Sequence, residues 1–401
     1  MEMANKSRLI LIANPGSSSR KYALYKGEKF LASLHFEFEG KKIICTLKDA
    51  DENRHSVKVE IEKLDQAIEH IHDILSEAGL LKPGSELDAI VARLVAPGEY
   101  FAEDHLVDKE CLEQIEIAKD NAPLHTPVIA KEIAHFRKTF PELPIVSVSD
   151  SKFHGTKPDS NAYYAIDKDL ADKYGIKRYG YHGLSVASVA HYMEKHGLMK
   201  DKVVVCHVGS GSSVSALYRG KSFDNSMGYS PLEGVMMATR CGNIDVAAAL
   251  AIKRHLKLDD AGLEKYLNKE AGLLGVSGIS DDMRDVETAR DQENERAAFS
   301  LALYAHKMAE VVGRMAAGMN GVDALVFTAT IGERGSEYRA AVMRRLTFLG
   351  FEPDFERNEV NLSDGHALLT TDGSKPIWAI KTDEFRQMVV AANELLDKQK
   401  K

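Results

Sequence analysis

The feature that most restricts how this chain folds is an internal repeat. Leu9 to Tyr25, LILIANPGSSSRKYALY, is an apolar run, a Gly/Ser turn and a second run that opens on two cations. Lys202 to Tyr218, KVVVCHVGSGSSVSALY, aligns with it without a gap at an offset of 193, which sets Gly209 on Gly16, Ser212 on Ser19 and Ala216-Leu217-Tyr218 on Ala23-Leu24-Tyr25. Each copy reads as a β-hairpin whose turn offers hydroxyls and backbone N–H groups to phosphate oxygens. The same order of apolar run, turn and strand in each half predicts two similar domains facing each other.

The 401 residues exceed one ordinary core and agree with two domains. The Gly/Pro-rich stretch Lys152 to Asn161 is the expected boundary, giving domains 1–154 and 155–384. A net charge of −8 excludes a global basic surface for nucleic acid or an anionic membrane, so any anionic ligand is met by a few local cations. The first apolar run is too short for a signal peptide, and nothing approaches the roughly 18 apolar residues of a membrane span; a cytoplasmic chain is expected. Cys45, Cys111, Cys206 and Cys241 are dispersed, without a CxxC pair or a zinc spacing, and read as reduced structural thiols.

Along the chain, alternation predicts strands at Lys29 to Phe38, Lys41 to Leu47 and Val57 to Ile61, followed by a helix from Leu64 to Ala78. The buried strand Leu87 to Leu94 ends in Arg93 before the turn Ala96-Pro97-Gly98. A cation at the mouth of such a strand is a ligand group or a surface Arg capped by a turn, and the residues leave both open. His125, in the Pro-bracketed turn APLHTP before the helix Val128 to Phe136, is more readily a structural hydrogen-bonder than a ligand. The strand Pro144 to Val148 delivers Asp150, read evenly as a metal or acid/base group and as a helix cap. Lys177 to His182, KRYGYH, gathers cations, tyrosines and a His before the helix Ser185 to Lys195. Arg240 lies in a turn-rich segment, and helices fill most of Ile244 to Met319. The strand Val322 to Thr328 opens through the turn Ala329 to Arg334 onto a helix from Ser336. A strand at Ile377 to Lys381 precedes the last helix, with Glu384 in its first turn.

Taken together, NPGSSSRK (14–21), APLHTP (122–127), SDSKFH (149–154), RYGYHG (178–183), HVGSGSS (207–213), NSMGYSPLEGVMMATRCGNID (225–245), DDMRD (281–285), VDALVFTATIGER (322–334) and KTDE (381–384) resemble, in register, the acetate kinase family of short-chain carboxylate kinases. The resemblance implies an α/β fold of two duplicated actin-like (ribonuclease H-like) domains with a central cleft. It implies a C-terminal helix, 385–401, packing back on the first domain, a homodimer, and reversible phosphoryl transfer between ATP and acetate that gives acetyl phosphate and ADP with Mg2+ or Mn2+.

By position, the resemblance gives Arg93 the carboxylate or acyl phosphate. It makes Asp150 the essential acid, and His182 and Arg240 the stabilisers of the transferring phosphoryl group. Val95, Leu124, His125, Tyr181 and Pro231 form the acyl pocket, and Asn14 and Glu384 the metal side. Ser17, Ser19, Lys21, His207, Val208, Gly209, Ser210, Gly211, Asp282, Met283, Arg284, Thr330, Ile331, Gly332, Glu333 and Arg334 form the nucleotide side. A carboxylate acceptor is already ionised at neutral pH, so positioning and charge neutralisation suffice without a dedicated base; Asp150 is expected to orient the metal or an arginine.

The pattern departs from the family in two places. Ala92, Leu94, Ala96 and Pro97 replace the usual His, Val, His and Gly around Arg93, which opens the choice of acid, including propionate. On the donor side Ser210, Asn243 and Thr330 replace Asn, Asp and Gly, and a branched residue at 330 crowds the place where a purine needs close backbone approach. Another nucleotide or pyrophosphate is the alternative donor, and a non-catalytic nucleotide-binding protein on the same fold the more distant reading.

Overall fold

The computed structural model describes residues 7–15, 19–40, 42–81, 87–121, 126–360, 362 and 365–399. They fall into two compact units, Met1–Lys152 with Asp383–Lys401, and Phe153–Thr382.

The first unit is built on one mixed sheet of eight strands: β1 (Leu9–Pro15), β2 (Ser19–Lys26), β3 (Lys29–Glu39), β4 (Lys42–Asp49), β5 (Arg54–Val57), β6 (Ala89–Leu94), β7 (His105–Leu106) and β8 (Ile145–Ser149), in the order β5-β4-β3-β2-β1-β6-β8-β7. β1, β6 and β8 are buried along most of their length because both faces are covered, whereas β3 and β4 alternate. Leu11, Tyr22, Leu34 and Phe36 pack under the helix Ala67–Glu77 and Phe136 of the helix Thr126–Thr139, while the C-terminal helix Glu384–Lys398 lies across β1, β6 and β8. Its Met388, Val389 and Ala392 are fully buried.

The second unit carries β9 (Lys202–Val208), β10 (Ser212–Tyr218), β11 (Lys221–Asn225), β12 (Ala324–Thr328), β13 (His366–Leu368) and β14 (Ile377–Ile380), in the order β11-β10-β9-β12-β14-β13. This repeats β3-β2-β1-β6-β8-β7 strand for strand, down to an antiparallel edge strand in each (β7 on β8, β13 on β14). The duplicated α/β architecture expected from the repeat is present, and with it the actin-like fold that the resemblance implies. The helix Gly183–Lys195 packs on one face of this sheet, and the long helix Glu295–Gly318 on the other.

Three local expectations are corrected. The repeat is not gapless, because Asn14 pairs with Lys21 in the first hairpin whereas its equivalent His207 pairs with Ser213 in the second. Lys21 therefore corresponds to Ser213 and not to Val214, and the identities on the second strands sit one ladder position apart. The strand expected at Val57 to Ile61 is instead Arg54–Val57. Asp49 accepts from the backbone of Asp51 and Asn53, and this tight turn starts the return strand early. Residues Ala329–Arg334, read as a turn, form a short helix entered through Ala329 at φ 65°. Among the described residues no helix is long and apolar enough to cross a membrane, and the four cysteines are free thiols, three of them buried.

Candidate functional site

β6 runs parallel to both β1 and β8, so the carboxyl ends of these three strands lie side by side, and each carries a polar side chain at or beside its last residue: Asn14, Arg93 and Asp150. Arg93 on β6 donates to Asp150 just past β8 through both forks of its guanidinium, Nε to Oδ1 at 3.1 Å and Nη2 to Oδ2 at 2.9 Å. Its remaining Nη1 lies 3.5 Å from the Asn14 amide oxygen on β1 and 3.4 Å from Glu384 Oε2 at the start of the C-terminal helix. Asp150 is 1 % exposed. Burial alone would lower the Arg93 pKa, but the charges of Asp150 and Glu384 outweigh it and hold the guanidinium protonated. Asp150 is thus the counter-ion of Arg93.

The divalent cation implied by the family meets a suitable donor set in this unit. Asn14, Asp150 and Glu384 place hard oxygen donors around the Arg93 guanidinium, and Mg2+ needs only one or two carboxylates beside substrate phosphates and water. Among the described residues there is no cluster of three His, Cys, Asp or Glu that would form an all-protein metal cage.

The second unit assembles its own group around the turn between β9 and β10. His182, the residue preceding the helix Gly183–Lys195, is held at φ 59°, an uncommon conformation for a non-glycine residue. Its Nδ1 lies 2.9 Å from Ser213 Oγ, and its ring stacks on His207 at 3.9 Å and 21°. His207 Nδ1 in turn meets Ser185 Oγ at 2.8 Å, and that hydroxyl meets Thr382 Oγ1 at 2.8 Å.

His182 Nε2 and Arg240 Nη1 both crowd Gly211. A Cβ added there would lie 3.3 Å from the imidazole nitrogen and 3.4 Å from the guanidinium, so glycine is what lets the two side chains reach the turn. Arg240 Nη1 also approaches the Pro231 carbonyl at 3.5 Å, and its loop is closed by Gly242 at φ +72°, packed against the backbone oxygens of Gly234 and Val235. An imidazole and a guanidinium converging on a Gly/Ser turn make a site suited to a group that gains negative charge. Like positions of the two sheets carry unlike chemistry, since Asn14 beside Arg93 in the first is His207 opposite Thr328 in the second.

The other expected site residues divide. Tyr181 is buried, and its hydroxyl donates to the Tyr229 carbonyl at 2.6 Å; Pro231 is buried and Val95 half-buried. Ser19 opens β2 and Lys21 is exposed on it, Val208 is buried, and Ser210 is exposed with its carbonyl accepting from Ala238.

Glu333 is held inside by its carboxylate, which accepts from the Ala329 N–H at 3.1 Å and the Thr382 N–H at 3.0 Å. Thr330 and Arg334 are exposed, Ile331 packs on the core and Gly332 is buried. Asp282 caps its helix by accepting from the Arg284 N–H at 2.9 Å, the exposed Arg284 side chain folds back on it at 2.5 Å, and Met283 points into the core. Ser17, Leu124 and His125 lie outside the described residues. Sequence reasoning missed Ser185, Ser213 and Thr382. Ser213 and Thr382 stand inside the quoted HVGSGSS and KTDE motifs, but the ties of Ser185 and Thr382 to His207 are made only by the fold.

The sequence profile of the Acetokinase family matches residues 9–391. The acetate kinase of Thermoanaerobacter pseudethanolicus is 36% identical over 96% of this chain and 96% of its own length. Among solved structures, a propionate kinase from Francisella tularensis superposes with a TM-score of 0.86 at 33% identity, covering 96% of this chain and 98% of that one. The acetate kinase of Porphyromonas gingivalis superposes with a TM-score of 0.83 at 32% identity, over 97% and 99%. The chain belongs to the acetokinase family and is a phosphotransferase with a carboxyl group as acceptor.

Proposed function

We propose that this protein is an acetate kinase, exchanging a phosphoryl group between ATP and acetate to give acetyl phosphate and ADP. The observation that carries the reading is the Arg93 guanidinium, fixed through two bonds to a buried carboxylate while a third nitrogen stays beside Asn14 and Glu384. A cation so constrained can orient a small carboxylate without rotating away. A bound Mg2+ or Mn2+ would neutralise donor phosphate charge, with Asn14 and Glu384 as its oxygen ligands and Asp150 beside them.

His182 and Arg240 stabilise the transferring group, Lys21 and the Gly/Ser turns hold donor phosphates, and Tyr181, Pro231, Val95 and Leu124 wall the acyl group. Asp150 positions Arg93 and abstracts no proton, because the acceptor is already anionic.

A second reading rests on Thr330, an exposed branched residue where the family pattern has glycine. It keeps the same transfer but changes the donor to another nucleotide or pyrophosphate, and the rebuilt loop after Arg93 leaves propionate as an alternative acid. Calorimetric titration with ATP, ADP and pyrophosphate separates the donors. Heat with the nucleotides supports the first reading, and heat with pyrophosphate alone overturns it.

A homodimer fits the helix Val246–Leu256, an apolar segment with no buried residue in its own unit, whose Val246, Leu250 and Leu256 are 74%, 45% and 53% exposed. Asp245 stands at its start and Lys253, Arg254 and His255 at its end, so antiparallel pairing of two copies brings opposite charges together.

A further inference from the structure

In β2 to β5 the alternation that sends Tyr22, Leu34, Phe36, Cys45 and Leu47 into the core leaves Lys21, Ser33, His35, Thr46 and Lys48 on the opposite face. The ladders set these residues side by side: Lys21 faces His35, His35 faces Thr46, Ser33 faces Lys48, and Lys48 faces Arg54. The C-terminal helix covers β1, β6 and β8 on this face and ends its cover at Phe385, which edges a pocket of about 220 Å3.

We propose that this pocket, lined by Lys21, His35, Lys48 and Arg54, binds a phosphate-bearing anion. The inference rests on the proposed transfer reaction only at Lys21, which the pocket shares with the donor-phosphate side; Lys48 and Arg54 belong to the pocket alone.

The lining holds three fixed cations and an imidazole against one carboxylate, Glu37, in a chain whose net charge is −8. Lys48 is paired with Glu52 at 2.6 Å, whereas Lys21 and Arg54 form no ion pair among the described residues. His35 Nδ1 lies 3.5 Å from Glu37, and its buried Nε2 has no hydrogen-bond partner among the described residues. Burial first, then the charge of Lys21 and, more weakly, that of Arg54 push the His35 pKa down, against the opposing pull of Glu37.

Ammonium, guanidinium and imidazole nitrogens with the hydroxyls of Ser33 and Thr46 make a surface rich in donors and poor in acceptors. That chemistry matches an anion with several oxygens, and the guanidinium fork suits phosphate in particular. Lys21 also pairs with Asn14 across β1, so the basic row continues directly into the Arg93 group.

The test titrates wild type and the Lys48→Ala/Arg54→Ala double variant with inorganic phosphate, pyrophosphate and metal-free ATP, following the His35 ring protons by NMR. His35→Gln supplies the assignment. Ligand occupancy is expected to raise the His35 midpoint by about one unit, and the double variant to lose about tenfold or more in affinity for the same ligand while its kinase turnover stays at the wild-type level. A response to phosphate or pyrophosphate supports the pocket and names a free anion as occupant. A response to ATP alone supports it, with a nucleotide's phosphate tail as occupant, when the double variant weakens that response; an ATP response the double variant leaves intact is binding at the donor site and overturns it. An unmoved His35 with all three ligands, or undiminished affinity in the double variant, overturns the proposal.

Discussion

Replacing Asp150 by Asn removes the charge that orients Arg93 while keeping the shape of the side chain. In the native arrangement the guanidinium makes two charge-assisted bonds to a carboxylate that is 1 % exposed. Asn offers one oxygen acceptor and turns an NH2 toward a group that can only donate, so one bond is lost outright. Bonds to charged groups contribute about 1.5–3 kcal/mol each, and an uncompensated buried cation adds to that. The compensation available from Glu384 at 3.4 Å and Asn14 at 3.5 Å is weaker because both contacts are long. The Asp150→Asn variant is therefore expected to lose about 2–4 kcal/mol of stability in urea unfolding.

Its kcat/KM for acetate should fall about 100- to 1000-fold, the scale on which removal of one preorganised charge contact acts. Trapping the acyl phosphate as hydroxamate measures the rate. If Asp150 only positions Arg93, the pH profile of the residual activity keeps the wild-type shape, since no catalytic proton transfer has been removed. A variant within fivefold of wild type, or one whose acidic limb has vanished, would refute this reasoning.

Four further outcomes are expected. Arg240→Ala should cost about 100-fold in turnover without loss of fold, read by the same trap and by circular dichroism. Ser213→Ala frees the His182 imidazole from its 2.9 Å partner and should lower kcat about tenfold with KM for acetate unchanged, while Ser213→Thr restores it. Lys157, half-buried with its ammonium on the carbonyls of Arg178 and Tyr179, is pushed down to about 8 by burial and by the charge of Arg178. Between that value and the ordinary 10.5 the unfolded chain holds a proton that the folded one has released, so this group's contribution to stability rises with pH across that window, and Lys157→Met should flatten the rise in urea midpoints. Leu250→Glu on the exposed helix should yield monomers in sedimentation velocity if that face joins two copies.

The two sheets were legible because apolar runs bounded by Gly/Ser turns leave few alternatives, and a cation or carboxylate at the end of such a run marks itself. Arg93 and Asp150 could each be picked out in this way, and Asp150 was expected to orient a metal or an arginine, but that the arginine is Arg93 depends on β6 and β8 being parallel neighbours in register. Glu384 reaches the same group from a helix almost 300 residues further on, a contact that only the folding back of the C-terminus creates. The one-residue slip between the hairpins was hidden because sequence identities do not report ladder pairing. The left-handed backbone of His182 was equally hidden, since nothing in its residue type demands φ 59°. Ser185 carried no local signal and Thr382 was visible only as part of KTDE; their role in holding His207 follows from hydrogen bonds between distant segments.

The central claim is tested most directly by mixing the purified protein with acetate, ATP, Mg2+ and hydroxylamine. The account predicts acetyl hydroxamate formed in step with ADP and abolished together by Arg93→Ala. ADP release without hydroxamate, or hydroxamate formed equally well by Arg93→Ala, would contradict it.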